Sequence, residues 1–207
     1  MKEIRNGVVH LGNTRLDIPF LALDSPCSYI TGPNGVGKST LLKVILGLVA
    51  LDSGEMSADT TARYGYVPQH YRLALFPWLT ARDNLLLYKN SDTVIRDLMD
   101  TGFNPRDLHK RPPHLSGGQC QRIAVVREIS ADFNRLVLDE PFSGIDFKAL
   151  PKLGSLLARA IRRGASVIIT SHTTLPEELR SISGFTKIAI ERVSDTSAMV
   201  VWPRSRS

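Results

Sequence analysis

The sequence predicts an α/β fold in which a phosphate-binding core is interrupted by a helical segment. Short apolar strands alternate with helices toward both ends of the chain, and a glycine-rich segment, GPNGVGKST, stands between a strand and a helix. In the middle, from Phe76 to Ile129, apolar residues recur three and four positions apart, as in packed helices. The 207 residues, 43% of them hydrophobic, suffice for one core, and we expect a single domain over residues 1–207.

The amino-terminal part is predicted to contain short strands around one helix. Turn residues separate three strands, at residues 3–9, 14–18 and 27–31. After the glycine-rich segment a helix runs from Ser39 to about Val49. A turn at residues 51–54 and a strand at residues 64–67, which ends at Pro68, complete this part.

The middle of the chain is predicted to be a helical subdomain, over about residues 76–130, inserted in the α/β core. A helix begins near Thr80, a polar loop with prolines covers residues 105–113, and Ser116 caps a further helix. The α/β alternation then returns. It comprises strands at residues 136–138, 167–170, 187–191 and 199–202, and a helix at residues 149–163.

Composition limits the class of protein and its location. The formal charge is +6, but the basic residues are scattered and do not alternate with aromatic residues, so we expect no nucleic-acid partner. The chain starts without the apolar stretch of a secretory signal, and its two cysteines carry no pairing motif. The strongest apolar run, residues 41–51, is about half the length of a membrane span. We therefore expect a cytoplasmic protein, peripheral to the inner or plasma membrane through a partner.

The glycine-rich segment satisfies the P-loop pattern G-x-x-x-x-G-K-[ST] in the expected strand–loop–helix context. Its glycines let backbone N–H groups converge on phosphate oxygens at a helix N-terminus. Lys38 is expected to bind the β- and γ-phosphates, and Ser39 to offer its hydroxyl to Mg²⁺. The expected nucleotide-binding residues of this segment are Gly32, Pro33, Asn34, Gly35, Val36, Gly37, Lys38, Ser39 and Thr40.

Two carboxylates follow the apolar strand at residues 136–138. Asp139, at the strand end, is expected to hold Mg²⁺ through water, and Glu140 to polarise the attacking water. Many buried strands end in an acidic residue, so this pair gains its significance from following a P-loop.

The LSGGQ segment, residues 115–119, is a second candidate phosphate site. Ser116, Gly117, Gly118 and Gln119 start a predicted helix, where free N–H groups and a hydroxyl suit a γ-phosphate. A simple helix cap is the alternative interpretation. Because one P-loop already holds the nucleotide, a second phosphate site implies a second subunit.

These motifs, in this order, resemble the ATP-binding cassette (ABC) family, in which LSGGQ is the signature motif. Gln69 in YVPQ matches the Q-loop of that family, Asp146 in SGID matches its D-loop, and His172 in TSH matches its switch histidine. The resemblance covers nearly the whole chain. It implies the ABC ATPase fold, which is a P-loop NTPase core with an antiparallel β subdomain and a helical insert, and it implies ATP and Mg²⁺ as cofactors.

The resemblance also implies a mechanism. Two subunits would sandwich two ATP molecules, each between the P-loop of one subunit and residues 116–118 of the other, with Asp146 reaching across. The second subunit would be another copy of this chain or a paralogue. The implied catalytic residues are Lys38, Gln69, Glu140 and His172, and the implied metal-binding residues are Ser39, Gln69 and Asp139.

Two positions depart from the family pattern. The family usually stacks adenine on an aromatic residue near the end of the first strand, where this chain has VVHLG. His10 could stack on the base, or it could be a turn histidine. Arg135 occupies a position before Asp139 where an apolar residue is usual.

Three functions remain open at this point. They are the ATPase subunit of a transporter with a separate membrane-spanning chain, a soluble ABC ATPase such as an iron–sulfur assembly ATPase, and a non-catalytic nucleotide-binding module. The complete motif set disfavours the third. The segment around the P-loop looks like the ATPases of zinc and manganese importers, and LFPWLT is similar to nitrate and sulfonate importers, which favours the first. The apolar 76–79 cluster, Phe76-Pro77-Trp78-Leu79, would be a docking site for the membrane subunit or part of the helical core.

Overall fold

The computed structural model describes residues 3–57, 59–172 and 174–203. Within these ranges nine strands form one sheet, with helices packed on its faces. The strands are β1 (Glu3–Leu11), β2 (Thr14–Ala22), β3 (Cys27–Thr31), β4 (Ser53–Met56), β5 (Tyr64–Val67), β6 (Arg135–Asp139), β7 (Ser166–Thr170), β8 (Phe185–Ser194) and β9 (Ser197–Val201). The α-helices are α1 (Lys38–Ile45), α2 (Ala81–Leu85), α3 (Asp92–Asp100), α4 (Gly117–Ser130), α5 (Leu150–Arg162) and α6 (Glu177–Arg180). The predicted α/β fold class is confirmed.

The sheet joins a parallel core to antiparallel strands, in the order β4-β1-β2-β9-β8-β3-β7-β6-β5. Strands β8, β3, β7, β6 and β5 are parallel neighbours, whereas β1 pairs antiparallel with both β2 and β4, and β9 pairs antiparallel with β8. The carboxyl ends of β3, β7, β6 and β5 therefore meet at one end of the sheet. Open α/β sheets bind their ligands at this end.

Alternating side chains of the central strands supply two cores. In β6, Leu136 and Leu138 pack on the face covered by α4 and α5, and Val137 packs on the opposite face with α1. This alternation follows from the two-residue period of a strand. Because both faces are covered, the central strand β7 carries consecutive apolar residues, Val167, Ile168 and Ile169, rather than apolar residues in alternation.

Two local predictions near α1 differ from the structure. The helix ends at Ile45 rather than near Val49, because Gly47 adopts a left-handed conformation with φ of 74°. The segment predicted as a turn at residues 51–54 instead leads into β4, which pairs with β1. The sequence SGEM has little strand character, and backbone pairing with the neighbouring hairpin overrides it.

The middle of the chain contains α2, α3 and α4. Thr80 caps α2 as predicted, since its side-chain oxygen accepts the N–H of Asp83 at 3.1 Å. The loop predicted at residues 105–113 contains one short 3₁₀ helix, Pro105–Asp107, and leads into another, Pro112–His114. No helix in the described ranges is long and apolar enough to cross a bilayer.

Candidate nucleotide-binding site

The ends of four parallel strands bring the predicted motif residues into one pocket. Lys38 follows β3, Gln69 follows β5, Asp139 and Glu140 stand at the end of β6, and His172 follows β7. All five line the same pocket, together with Asn34, Gly35, Gly37, Ser39 and Thr40. These residues are up to 138 positions apart in the chain (172 − 34 = 138) and become neighbours because the strands are parallel and adjacent.

The loop between β3 and α1 requires glycine at two points. A Cβ atom on Gly32 would lie 2.5 Å from the carbonyl oxygen of Ile190. Gly37 precedes α1 with φ of 106°, which L-residues with a side chain rarely adopt, and no side chain caps the helix there. The backbone N–H groups at the start of α1 therefore remain available to an anion.

Three predicted P-loop residues do not line the pocket. Val36 is buried in the core on the α1 face. Gly32 and Pro33 begin the loop, and their carbonyl oxygens accept hydrogen bonds from Nζ of Lys38 at 2.9 and 3.0 Å. The same Nζ lies 4.0 Å from Oε1 of Glu140. Lys38 thus stands between the loop and the carboxylate, within reach of both.

Asp139 and Glu140 are both buried and share one partner on the neighbouring strand. The hydroxyl of Thr170 donates to Oδ1 of Asp139 at 2.6 Å and accepts the backbone N–H of Glu140 at 3.0 Å. Burial and, secondarily, the charge of Asp139 raise the pKa of the Tyr66 phenol on β5. The hydrogen bond between Thr170 and Asp139 follows from the parallel register of β6 and β7, in which these two residues lie opposite each other.

His172 binds the carboxylate of Glu140 twice. Its backbone N–H lies 3.1 Å from Oε2, and its Nδ1 lies 2.8 Å from the same oxygen. An Nδ1–H bond to a carboxylate leaves Nε2 as the other functional nitrogen of the ring. About half of the His172 side chain is exposed, so that nitrogen is accessible to a ligand in the pocket.

The LSGGQ segment lies outside this pocket and forms a capping box at the start of α4. The Ser116 oxygen accepts the N–H of Gln119 at 3.2 Å, and the Gln119 side chain accepts the N–H of Ser116 at 2.8 Å. Residues 116–119 are absent from the lining of the pocket that holds Lys38. Both interpretations from the sequence therefore remain compatible: Ser116 is a helix cap, and the helix start lies outside the P-loop pocket of its own chain.

Asp146 also lies outside the pocket lining. Its Oδ2 pairs with Nη1 of Arg122 on α4 at 3.0 Å, and its Oδ1 accepts the N–H of Ala149 at 2.9 Å. The loop after Glu140 is thereby tied to the second turn of α4 and to the start of α5. More than half of the Asp146 side chain is exposed.

Sequence reasoning missed the apolar wall of the pocket and one anchoring hydroxyl. Val9, Leu11, Thr14 and Leu16 from the β1–β2 hairpin line the pocket beside the P-loop, and alternation in that hairpin was a signal for them. Thr170 was signalled only as a polar residue at the end of an apolar strand. His10 is not in the lining, because its ring bonds Asp52, with Nδ1 2.9 Å from Oδ2.

Several proteins of known function are similar to this chain. The Vibrio cholerae zinc import ATP-binding protein ZnuC is 38% identical over 149 residues, which cover 69% of this chain and 55% of that protein. The Mycobacterium tuberculosis molybdenum import ATP-binding protein ModC is 29% identical, over 95% of this chain and 61% of that protein. The Rhizobium etli Nod factor export ATP-binding protein I is 31% identical over 75% of this chain. The chain spans between about half and three fifths of the length of these relatives.

A solved structure shares the fold of this chain, and a family model shows its family. A bacterial ABC transporter cassette solved as a dimer matches with a TM-score of 0.73 and 23% identity, over 99% of this chain and all of that one. A family model described as ABC transporter matches residues 24–143, which is more than half of the chain. The match includes the P-loop, the LSGGQ segment and Asp139-Glu140. This chain therefore belongs to the ABC transporter family.

Proposed function

We propose that this chain is the ATP-hydrolysing subunit of an ABC transporter, which dimerises around two MgATP molecules and powers a separate membrane-spanning subunit. The observation that carries the proposal is the single pocket that unites the P-loop with Asp139, Glu140 and His172. The names of the relatives, which are import and export ATP-binding proteins, support the transport role.

The pocket suggests how the nucleotide lies. The phosphates bind the N–H groups of the P-loop at the start of α1, and the Lys38 ammonium turns from the carbonyl oxygens of Gly32 and Pro33 to the β- and γ-phosphates. The ribose and base extend along the wall formed by Val9, Leu11 and Leu16. That wall is apolar, and burial of the flat apolar faces of a base against such a wall is favourable.

The oxygen donors in the pocket fit Mg²⁺. The Ser39 hydroxyl, the Gln69 amide oxygen and the Asp139 carboxylate line the same pocket, and Mg²⁺ prefers such ligands completed by phosphate and water. The described residues contain no cluster of three or more His, Cys, Asp or Glu that could hold a metal alone. A site that depends on substrate phosphates agrees with this, since Mg²⁺ is usually bound by one or two carboxylates and the substrate.

Glu140 is the proposed general base, and His172 orients it. The bond from Nδ1 of His172 to Oε2 of Glu140 leaves Oε1 to accept a proton from the attacking water. Nε2 of His172 then contacts the γ-phosphate. Gln69 at the end of β5 contributes to Mg²⁺ and to the water, and it connects the pocket with the helical subdomain, which we assign to about residues 76–130 of the single domain 1–207.

The second subunit completes each site through its LSGGQ segment. Residues 116–119 present a helix start outside their own pocket, which suits a nucleotide held by the other subunit, and Asp146 contacts that subunit across the interface. A homodimer is the simplest assembly, because this chain carries both halves of the site. A paralogue in place of the second copy is the alternative.

The membrane subunit is proposed to dock beside β5 and the 76–79 cluster. Trp78 is 65% exposed and packs on Phe76, with ring centroids 5.3 Å apart. Phe76 also lines a groove with Tyr66, Leu73 and Tyr88. Exposed aromatic residues next to a groove are typical of binding hot spots. Such a partner would hold the chain at the cytoplasmic face of the inner or plasma membrane.

Glu140→Gln tests the proposal. We expect ATP hydrolysis to fall roughly 100-fold or more, because a general base contributes at least that factor. ATP binding should survive, since the P-loop and Lys38 are intact. Bound MgATP should then hold the sandwich closed, so light scattering after size exclusion should show a dimer with MgATP and a monomer without nucleotide.

Lys38→Ala is the matched control, because it should lose ATP binding and the ATP-induced dimer together. A Glu140→Gln variant that hydrolyses ATP as fast as the parent would contradict the assignment of the base. An ATP-bound variant that stays monomeric would contradict the sandwich.

A further inference from the structure

Gln121, on the second turn of α4, is a buried polar residue that the proposed mechanism does not use. Only 2% of it is exposed. Its Nε2 donates a hydrogen bond to the backbone carbonyl oxygen of Glu140 at 3.1 Å, across 19 positions of the chain. A buried side-chain amide is costly unless it is hydrogen-bonded, so this contact fixes which way the amide faces.

The backbone of Glu140 is strained and needs support. Its φ is 53°, in the left-handed region that residues with a side chain rarely adopt. Such a conformation persists only where the surroundings determine it, and it is common at active sites. Thr170 holds the N–H of Glu140 from β7, and Gln121 holds its carbonyl oxygen from α4. The two side chains thus clamp both ends of the residue.

The orientation of this backbone decides where the carboxylate points. Oε2 of Glu140 receives both bonds from His172, and Oε1 faces the Lys38 ammonium at 4.0 Å. A rotation of the Glu140 backbone by a few tens of degrees would break this arrangement. Gln121 itself does not line the nucleotide pocket, so it has no direct contact with substrate to lose.

The other half of the Gln121 amide lies beside the loop that carries Asp146. Its Oε1 is buried without a hydrogen-bond partner among the described residues, and a Cβ atom on Gly144 would lie 3.9 Å from it. The next residue, Arg122, pairs with Asp146. The second turn of α4, which follows the LSGGQ segment, therefore contacts Glu140 through one side chain and the Asp146 loop through the next.

We infer that Gln121 is a positioning residue for ATP hydrolysis, which holds the strained backbone of Glu140 against the helix that begins at the LSGGQ segment. The inference rests on the proposed function, because it assigns to Gln121 the alignment of the proposed base. Without the Gln121 donor, the Glu140 carbonyl oxygen keeps only the N–H of Ser143, at 3.1 Å, which belongs to the same loop. The loop then loses its bond to α4, and the carboxylate loses its alignment. The chemical step then slows, while nucleotide affinity and the ATP-induced dimer are preserved.

Two variants of the full chain test it. Gln121→Met keeps the length of the side chain and removes the donor; we expect kcat to fall about tenfold, with KM and the Kd for ATP within twofold of the parent. Gln121→Glu also lacks the donor when ionised, but its protonated carboxyl can donate to the Glu140 carbonyl. Burial raises the pKa of such a carboxyl, so the kcat of this variant relative to the parent should rise as the pH falls from 8 to 6.

The ratio to the parent isolates the new carboxyl, because the neighbouring charged residues Glu140, Arg122 and Asp146 are present in both proteins. Gln121→Met should show no such recovery at low pH. If Gln121 had a merely structural role, the two variants would not differ in this pH dependence. Val126→Ala is the control: it removes buried volume from α4 and should lower the melting temperature without changing kcat. If Gln121→Met does not fold, the pH dependence of Gln121→Glu decides alone.

A parent-like kcat in Gln121→Met overturns the inference, as does a Gln121→Glu variant whose relative kcat is independent of pH. Glu140→Gln, measured in parallel, distinguishes a failure of this inference from a failure of the proposed function. If that variant is inactive and Gln121→Met is fully active, only the role of Gln121 fails. If Glu140→Gln is itself active, the assignment of the base fails and the inference with it.

Discussion

His10 and Leu11 are neighbours at the end of β1 and have opposite surroundings. Successive side chains of a strand point to opposite faces, so Leu11 shares the pocket face with Val9 while His10 faces Asp52. The apolar wall beside the P-loop therefore consists of aliphatic side chains with one hydroxyl, from Thr14. Aliphatic groups pack on any flat base and read little of its hydrogen-bonding edge.

The wall predicts weak discrimination between bases, which Leu11→Tyr should change. We expect the parent to bind ATP and GTP with Kd values within about fivefold of each other, since no charged side chain of the wall reads the base. A tyrosine at this position adds a ring that can stack, worth about 0.5–1.5 kcal/mol, or roughly two- to tenfold in Kd for both nucleotides. Calorimetric titration with each nucleotide measures this.

His10→Ala is the matched control for that experiment. The His10 ring is hydrogen-bonded to Asp52 outside the pocket, so its removal should not change the Kd for either nucleotide. A loss of affinity in His10→Ala with no gain in Leu11→Tyr would show that the histidine, and not the leucine, meets the base.

At the scale of elements, the amino end of β6 explains the unusual arginine of this chain. Nη1 of Arg135 donates to the Ser166 hydroxyl at the start of β7 at 2.7 Å and to the carbonyl of Leu23 at 3.2 Å, and its Nη2 bonds Asp59 at 3.0 Å. The charge lies at the strand end opposite the nucleotide, so the apolar positions of β6 stay buried. Arg135 thus joins three segments of the chain, those that contain Leu23, Asp59 and Ser166.

Asp59 should make the stability of the fold sensitive to acid. The Thr61 hydroxyl first, and Arg135 second, lower the pKa of this carboxyl to about 2. Its normal value is about 3.9, so its stabilising contribution is complete above that pH and is lost as the pH falls toward 2. We expect Asp59→Asn to have a lower urea midpoint than the parent at pH 6. This difference should vanish near pH 2, and a difference that is independent of pH would contradict the origin assigned to it.

At the scale of the whole molecule, the nucleotide pocket and the 76–79 cluster occupy different parts of the surface. Both lie after β5, because Gln69 enters the pocket and the chain then continues through a 3₁₀ helix, Tyr71–Ala74, to Phe76. The Asn84 side chain binds the backbone N–H and carbonyl of Phe76, at 2.8 and 3.0 Å, which holds the cluster in place. The exposure of Trp78 favours a docking role over a place in the helical core.

Trp78→Asp should weaken the interaction with the proposed membrane subunit. We expect at least tenfold less of a multi-pass membrane protein to co-purify from detergent extracts of the host, because an aromatic hot spot contributes about 2 kcal/mol or more. Basal ATP hydrolysis and melting temperature should be unchanged, since the side chain is mostly in solvent. Mass spectrometry of the purified complex measures the partner.

Leu48→Asp is the control, because Leu48 is equally exposed on a distant part of the chain, after α1. It should retain the partner. A protein partner recovered equally without detergent, with no membrane protein, would instead favour the soluble ABC ATPase. If Trp78→Asp unfolds, the result would support the alternative that Trp78 is part of the helical core.

The sequence alone determined the features that depend on local chemistry. A glycine-rich loop, a terminal carboxylate pair and a Ser-Gly-Gly helix start can be recognised because their function requires those residue types at fixed spacing. The α/β alternation likewise follows from residue periodicity, which predicted most strands within a few residues.

Only the tertiary structure decided what depends on strand order and register. The pairing of β6 with β7 places Thr170 on Asp139 and Glu140, and the packing of α4 places Gln121 on the Glu140 carbonyl. The strand β4 forms through its neighbour β1 rather than through its own residues. These contacts join positions far apart in the chain, and a local pattern contains no information about which partner a buried hydroxyl or amide will meet.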